Sequence, residues 1–321
     1  MSKSVCLEFQ NNKLSIELFG HNNEHLKLIE KALKVAISMR GNKVAISGDK
    51  DFVAKAKNIL QTLYDSLQDG NNISKFEVEA IIAMYKEQKN HQKPIDNTAI
   101  KTPNRFVTPY SLKQKQYVKL LQEKEMVFAE GPAGTGKTYL AVSVAVSMFI
   151  NHNIEKIILS RPAVEAGERI GFLPGDMKEK VDPYMQPLYD ALYDMLPHDK
   201  VQKNLQSGIF EIAPLAFMRG RTLKNAFIIL DEAQNATTTQ MKMFLTRLGE
   251  GSRMVINGDL SQVDLPNNVQ SGLNEAIDKL KNIKEIGFIK FSGKDIVRHK
   301  LVAKIVNAYQ KYSRSSNDFP L

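Results

Sequence analysis

Cysteine and long apolar runs are almost absent from this sequence. Cys6 is the single cysteine among 321 residues, so no disulfide can form within the chain and a reducing compartment is expected. The longest apolar run is too short to span a bilayer. Glu8 interrupts the N-terminal segment where a signal peptide needs an uncharged stretch. Together these absences predict a soluble, cytoplasmic protein without a membrane segment or a targeting signal.

Positive charge, by contrast, is in excess. The formal net charge is +9, whereas a hydrophobic share of 43% and a charged share of 25% are ordinary for a globular protein. Residues 279–314 contain ten Lys and Arg and two acidic residues, and residues 101–119 contain five Lys and Arg and no acidic residue. Basic segments of this kind attract phosphate backbones through counterion release. The alternative is that these lysines lie on solvated helix surfaces.

The first candidate for a functional site in this sequence is a glycine-rich stretch. It reads, in order, Gly131, Pro132, Ala133, Gly134, Thr135, Gly136, Lys137 and Thr138. The apolar residues 126–129 before it are typical of a buried strand, and residues 139–150 after it are typical of a helix covered by a sheet. Glycines let backbone N–H groups at a helix N-terminus approach polyphosphate oxygens. The stretch therefore predicts a nucleotide-binding loop, and a glycine-rich turn without a ligand is the alternative.

Four polar side chains complete the predicted site. Lys137 would place its charge on the β- and γ-phosphates, and the Thr138 hydroxyl would ligate Mg²⁺. Residues 226–230 predict a buried strand beside the loop strand, with Asp231 in the Mg²⁺ shell and Glu232 near the attacking water. One carboxylate on the metal and a second, free one are what hydrolysis requires. The alternative is an acidic pair that caps the end of a strand.

Two further residues are candidates for contact with the γ-phosphate. A strand pattern at residues 254–259 precedes Gln262, which would touch the γ-phosphate or the attacking water, because open parallel sheets bind ligands at the carboxyl ends of their strands. A plain turn is the alternative there. Arg298 follows Asp295 at the predicted start of the last helix and is a candidate arginine finger. Taken alone, such an arginine is more often a surface residue.

The N-terminal part predicts a small α+β domain over residues 1–87. Its patterns indicate strands at 5–9, 14–18 and 43–47 and helices at 24–38, 52–67 and 73–87. It resembles the K-homology RNA-binding fold, although the turn from Gly20 to Asn23 lacks the G-x-x-G clamp. A packing or oligomerisation domain is the alternative. Residues 88–104 predict a linker, 105–315 the nucleotide-binding domain and 316–321 a tail.

Several longer motifs occur in one order along the chain. They are the loop 131–138, SRPAVEAGE at 160–168, GFLPGD at 171–176, MRGRTL at 218–223, FIILDEAQN at 227–235, GD at 258–259 with Gln262, and VRH at 297–299. On these motifs the chain resembles the PhoH family, and within it the bacterial PhoH-like proteins of the YbeZ type, over nearly its whole length.

The resemblance implies an α/β fold, namely a RecA-like P-loop NTPase core with a parallel sheet, related to superfamily 1 helicases and preceded by the small α+β domain. It implies an ATP- and Mg²⁺-dependent ATPase that binds and remodels single-stranded RNA, and an endoribonuclease of the YbeY type as a partner. Gln114 falls where helicases read adenine, with Gln116 as the competing position. Arg161, Arg219 and Arg221 lie in family motifs that contact either phosphate or RNA.

Two departures from related proteins matter. Residues 1–90 lack the acidic cluster of the PIN-type nuclease domain that some PhoH relatives carry, so we do not expect this chain to cut RNA. Superfamily 1 helicases use two RecA-like domains, whereas one core fits between residues 105 and 315. We therefore expect a homo-oligomeric ring in which Arg298 faces the neighbour's triphosphate. The alternatives are a nucleotide switch or kinase, and a nucleotide-gated scaffold for RNA or the nuclease without motor activity.

Overall fold

Strands and helices alternate along the chain in two groups, each with its own hydrophobic interior. The computed structural model describes residues 2–68, 70, 73–87, 99–162, 177–266 and 268–296. One apolar cluster fills the N-terminal group, and two clusters fill the second group. None of the helices in these ranges is both long and apolar enough to cross a membrane.

The N-terminal group is a three-stranded antiparallel sheet covered by helices. Its elements are β1 (Ser2–Glu8), α1 (Asn12–Phe19), α2 (Glu24–Leu33), β2 (Ala36–Arg40), β3 (Lys43–Asp49), α3 (Lys50–Gln68) and α4 (Lys75–Glu87). The strand order is β1-β3-β2, with β3 antiparallel to both neighbours. Leu18, Ile46 and Leu60 are among the fully buried side chains that join the helices to the sheet. The predicted small α+β domain is confirmed.

Two of the local predictions in this domain are wrong. Residues 14–18 form part of helix α1, because the Asn11 side chain accepts hydrogen bonds from the backbone N–H groups of Lys13 and Leu14 and caps the helix. Five alternating residues are too few to distinguish a strand from a short helix. The predicted helix 24–38 ends at Leu33, because Lys34 takes a left-handed conformation with φ 55°. Residues 36–40 then form β2.

The second group contains a six-stranded parallel sheet. Its elements are β4 (Ile100–Lys101), β5 (Phe106–Val107), α5 (Leu112–Glu123), β6 (Met126–Glu130), α6 (Lys137–Ile150), β7 (Lys156–Arg161), α7 (Met177–Met195), α8 (His198–Gln206), β8 (Phe210–Pro214), β9 (Ala226–Leu230), α9 (Thr238–Leu245), β10 (Arg253–Gly258), α10 (Gly272–Leu280) and β11 (Ile286–Lys290). The strand order is β11-β6-β10-β9-β7-β8. The predicted RecA-like P-loop core with its parallel sheet is confirmed.

Strand β9 shows why this sheet forms. All five of its residues are fully buried. Phe227 and Ile229 pack into one apolar cluster, whereas Ile228 and Leu230 pack into the other, on the opposite face. A parallel sheet covered on both faces reads as a continuous apolar run rather than an alternating one. The strand patterns at 126–129 and 226–230 and the helix pattern at 139–150 are confirmed for this reason, and the pattern at 254–259 is confirmed up to Gly258, where β10 ends.

The expected pairing of β9 with β6, the strand that precedes the glycine-rich loop, is wrong. Strand β10 lies between β6 and β9, so that Met254 pairs with Met126 on one side and with Ile228 on the other. Neighbouring strands lie about 4.8 Å apart, which places β6 and β9 about 10 Å apart at this edge. The polar residues after β9 must therefore reach the loop through side chains rather than through adjacent backbones.

The structure describes the start of the second group, from residue 99, but not the residues after 296. Ile100 in β4 pairs with Val107 in β5 and packs into the main cluster of this group. Residues 88–98, in the predicted linker, lie outside the described residues, as do residues 297–321, which hold the predicted last helix, Arg298 and the tail. The predicted motif residues 163–176 also lie outside them.

Gly131 gives a first prediction about stability. Its φ of 146° suits glycine, and a Cβ here would lie 2.6 Å from Phe291 Cβ and 2.8 Å from its carbonyl oxygen. We expect Gly131→Ala to lower the free energy of unfolding by about 1–3 kcal/mol. Gly293→Ala is the control, because a Cβ there would meet no atom within 4 Å. Urea unfolding followed by circular dichroism measures both, and equal stability of the two variants would contradict this account.

Candidate active site

The loop between β6 and α6 presents backbone N–H groups around a sharp turn. Gly131, Gly134 and Gly136 all have positive φ, and Gly136 stands at the N-cap of α6 without a side-chain cap. The buried Thr135 holds the turn, since its Oγ1 donates to the Pro132 carbonyl at 2.9 Å. The positive end of the α6 dipole and these amides favour an anion. The loop therefore has the local structure that a phosphate requires.

Lys137 lies inside this loop. Its Nζ donates to the carbonyl oxygens of Gly131 at 2.5 Å and Pro132 at 3.0 Å, and the residue is 9% exposed. A phosphate oxygen is a stronger partner for an ammonium than a neutral carbonyl, because hydrogen bonds between opposite charges are about twice as strong as neutral ones. The loop thus positions Lys137 at the place where a polyphosphate would meet it.

Asp231 joins three elements of the core. Its Oδ1 accepts from Thr138 Oγ1 at 2.5 Å, and its Oδ2 accepts from Arg161 Nε at 2.9 Å and Nη2 at 2.5 Å. Only 4% of the Asp231 side chain is exposed, so its charge needs a partner, which Arg161 provides. Arg161 Nη1 also donates to the Tyr184 carbonyl in α7 at 2.8 Å. The predicted metal residues Thr138 and Asp231 are therefore in direct contact.

The oxygen atoms of Thr138 and Asp231 suit Mg²⁺ as ligands. Mg²⁺ prefers hard oxygen ligands, keeps several waters and is bound through one or two carboxylates together with substrate phosphates. The Thr138 hydroxyl and the Asp231 carboxylate supply such oxygens next to the loop. The described residues contain no cluster of three or more His, Cys, Asp or Glu that could enclose a metal by themselves. The chemistry of the site thus fits a metal that arrives with a polyphosphate.

Glu232 follows Asp231 in a left-handed conformation, with φ 52° and ψ 38°. Such a conformation costs a non-glycine residue about 1–3 kcal/mol and persists where neighbouring contacts impose it. Glu232 Oε2 accepts from Gln234 Nε2 at 2.8 Å, and the same Nε2 donates to the Gln262 carbonyl at 3.1 Å. Gln234 Oε1 in turn accepts from the Asp259 N–H at 2.9 Å. The buried Gln234 therefore ties Glu232 to the end of β10.

Gln262 completes this edge of the site. Its Nε2 donates to Asp259 Oδ2 at 2.6 Å, which fixes the amide beside the end of β10. A cavity of about 240 Å³ is lined by the loop, both carboxylates and Gln262. The structure thus brings together Lys137, Thr138, Asp231, Glu232 and Gln262. Their proposed chemical roles stay predictions.

Gln114 supports the loop from the side of α5. Its Oε1 accepts from the Tyr110 N–H at 2.5 Å, and its Nε2 donates to the Thr135 carbonyl at 3.0 Å. With Ser111 it also forms a capping box at the start of α5. Both ends of the amide are thus engaged with protein, and adenine could reach it only by replacing one of these bonds. The competing Gln116 is exposed.

The other predicted arginines differ in setting. Arg221 forms two hydrogen bonds with Glu211, at 2.5 and 2.7 Å, and the bond from Glu211 raises the pKa of the Arg221 guanidinium. Arg219 is exposed. Arg161, by contrast, lies against Asp231 in the site. The candidate finger Arg298 lies outside the described residues.

The sequence reasoning missed Gln234 and left the partner of Arg161 open. Gln234 stands two residues after Glu232, and its burial, which sets it apart from most other glutamines that the structure describes, is visible only in the structure. Arg161 ends a buried strand, as Asp231 follows one, and parallel strands deliver such residues to a common edge. That rule predicts that both residues lie at one edge of the sheet, and their contact follows only from the structure, in which β7 and β9 are neighbours.

Comparison with known proteins gives a consistent result. The model of the PhoH-like protein family matches residues 106–310. A PhoH-like protein of Bacillus subtilis is 48% identical over 310 residues, covering 95% of this chain and 96% of that protein. A PhoH-like protein of Synechocystis is 41% identical over 320 residues, covering 99% and 98%.

Among solved structures, the large terminase of a thermophilic bacteriophage is similar, with 15% sequence identity and a TM-score of 0.42. The alignment covers 61% of this chain and 49% of the terminase chain. A similarity of that size says nothing about what this chain binds. The family match covers most of the P-loop core, and the two bacterial relatives align over nearly the whole sequence. The chain therefore belongs to the PhoH-like protein family.

Proposed function

We propose that this protein is a Mg²⁺-dependent ATPase that binds and remodels RNA in the cytoplasm. The observation that carries the proposal is the contact between Thr138 Oγ1 and Asp231 Oδ1, with Glu232 in the same cavity. A loop for phosphate, a hydroxyl and a carboxylate for Mg²⁺, and a second carboxylate form the set that triphosphate hydrolysis needs. A site that only binds nucleotide would leave Glu232 without a role.

Each side chain has a distinct task in this proposal. The loop amides and Lys137 would hold the β- and γ-phosphates, and Thr138 and Asp231 would hold Mg²⁺, which when bound neutralises charge on the phosphate oxygens. Glu232 orients the attacking water and accepts its proton. Gln262 contacts the γ-phosphate or that water.

Arg161 is a positioning residue here. Its bidentate contact fixes the orientation of Asp231 and balances its buried charge.

RNA binding rests on three observations. The first domain has the order strand, two helices, two strands, two helices, with β3 in the middle of its sheet, and its first six elements resemble the K-homology fold. In the turn between α1 and α2, Asn22 and Asn23 have φ of 50° and 58°, a left-handed conformation that glycine adopts more readily than other residues. The net charge of +9 is the third.

Part of the basic charge is compensated locally. Lys279 pairs with Glu275, Lys281 with Asp278 and Lys290 with Glu130. These three lysines are 61–75% exposed, so their pairs contribute little stability and are screened by salt. They stay available for a phosphate backbone, which would compete with the neighbouring carboxylates.

Assembly is part of the proposal. One P-loop core has no second RecA-like domain to supply a finger, so we propose a homo-oligomeric ring in which Arg298 reaches the neighbour's triphosphate. Single-stranded RNA and a YbeY-type endoribonuclease are the proposed partners. The competing proposal is a scaffold that uses nucleotide only to control assembly, and the following measurements separate the two.

Glu232→Gln tests hydrolysis. We expect phosphate release to fall by about 10²–10⁴-fold, because the amide cannot accept the proton of water, while ATP binding is retained. Release is measured with and without single-stranded RNA, which should stimulate the wild type but not the variant. Glu250→Gln makes the same substitution at an exposed residue and should leave phosphate release unchanged, with and without RNA. Normal turnover in Glu232→Gln would remove the assigned role, and no release by wild type in any condition would favour the scaffold.

Arg298→Ala tests the ring. This variant should lose turnover, by about 10³-fold or more, and keep ATP binding. Lys137→Ala should be inactive as well. If the finger acts between subunits, a mixture of the two inactive variants regains part of the activity, because some interfaces combine an intact loop with an intact finger. Turnover by a monomer, or normal turnover in Arg298→Ala, would contradict the proposal; mass measurement establishes the oligomeric state.

A further inference from the structure

A second and larger cavity lies next to the candidate active site. Its volume is about 770 Å³, and it shares Gly134, Gly136 and Tyr139 with the smaller cavity of about 240 Å³. The two cavities therefore meet at the phosphate loop. Pockets for small molecules typically measure about 300–1,000 Å³, so the larger one has room for the ribose and base of a nucleotide whose phosphates lie in the smaller one.

The walls of the larger cavity come from both domains. The core contributes Phe106, Thr108 and Tyr110, which lie in or after the β4–β5 hairpin. The N-terminal domain contributes Ser74 and Glu77, at the start of α4. Aromatic side chains are suitable partners for a nucleobase, because every base can stack on the face of an aromatic ring. Ser74 and Glu77 add polar groups to the lining.

A chain of hydrogen bonds connects these walls to the phosphate loop. Tyr110 Oη donates to Glu77 Oε1 at 3.0 Å, and the Tyr110 N–H donates to Gln114 Oε1 at 2.5 Å. Gln114 Nε2 then donates to the carbonyl of Thr135 in the loop at 3.0 Å. The other oxygen of Glu77 accepts from the N–H of Ser74 at 2.6 Å, which fixes the first turn of α4. Helix α4 and the loop are thus linked through three side chains.

The Tyr110 hydroxyl is the donor in the contact with Glu77. Burial, followed by the charge of Glu77, raises the pKa of the Tyr110 hydroxyl well above its ordinary value. The Tyr110 hydroxyl therefore keeps its proton at neutral pH and can donate to Glu77 Oε1.

We propose that the larger cavity binds the nucleoside part of a ribonucleoside triphosphate, and that the N-terminal domain forms one of its walls. This inference rests on the proposed function, since it places the base and ribose of the same nucleotide. A ligand that contacts both domains stabilises their contact, and by linkage the contact strengthens binding of the ligand. Nucleotide occupancy would thereby control the position of the domain that we propose binds RNA.

A variant that fills the cavity tests the assignment. Thr108→Trp places an indole in the larger cavity, away from the loop, and Asn153→Trp places one at an exposed turn after α6. Calorimetry compares MgATP with inorganic tripolyphosphate on the full-length chains. For Thr108→Trp we expect the Kd of MgATP to rise about 10-fold or more and that of tripolyphosphate to stay unchanged, because the indole occupies the space of the nucleoside and the loop is intact. Asn153→Trp should change neither value.

The results separate this inference from the proposed function. If Thr108→Trp binds MgATP as wild type does, or loses both ligands to the same extent, the cavity does not hold the nucleoside, and the hydrolytic site stands. If wild type binds neither ligand, both proposals are overturned.

Tyr110→Phe tests the wall without filling the cavity, because it keeps the ring and removes the donor to Glu77. Hydrogen exchange of residues 75–80 provides the readout. In wild type, MgATP should slow exchange in the first turns of α4, whereas in Tyr110→Phe the slowing should be reduced several-fold. Exchange in wild type that does not respond to MgATP would overturn the assignment of this wall to the N-terminal domain.

Discussion

The contact between Thr138 and Asp231 is the interaction on which the rest of the site depends. Strand β10 separates β6 from β9, so the loop and the acidic residues meet only through side chains. Thr138 Oγ1 and Arg161 together engage both oxygens of Asp231, which is almost fully buried. A buried carboxylate is tolerated only with such partners. The sheet thus supplies a common edge, and these contacts assemble there the residues of the proposed site for a metal and a polyphosphate.

Around this contact, the backbone is held in conformations that few residues accept. Gly131 passes so close to Phe291 that a Cβ would not fit, and Glu232 takes a left-handed conformation that costs free energy. Gln234 compensates by binding Glu232, the Gln262 carbonyl and the Asp259 N–H at once. A carboxylate fixed in this way loses little entropy when it orients a water molecule. Strain and its compensation therefore occur at the residue to which we assign proton transfer.

The sequence predicted those features that depend on local chemistry. Residues 226–230 are a continuous apolar run because both faces of the sheet are covered, and the loop contains glycines at positions where its backbone takes positive φ. Strand order is different, since nothing in residues 254–258 indicates that they insert between β6 and β9. Likewise, the bond between Arg161 and Asp231 joins residues far apart in sequence, and the strand expected at 14–18 was overridden by the Asn11 cap.

The central claim is that the loop binds a triphosphate with Mg²⁺, and calorimetric titration of MgATP into wild type and Lys137→Ala measures this most directly. The account predicts saturable binding to wild type and at least about 10-fold weaker binding to the variant, because the buried ammonium is the one cation that the described loop directs into the phosphate cavity. Failure of wild type to bind adenine or guanine nucleotide in the presence of Mg²⁺, or equal affinity of the two proteins, would contradict it.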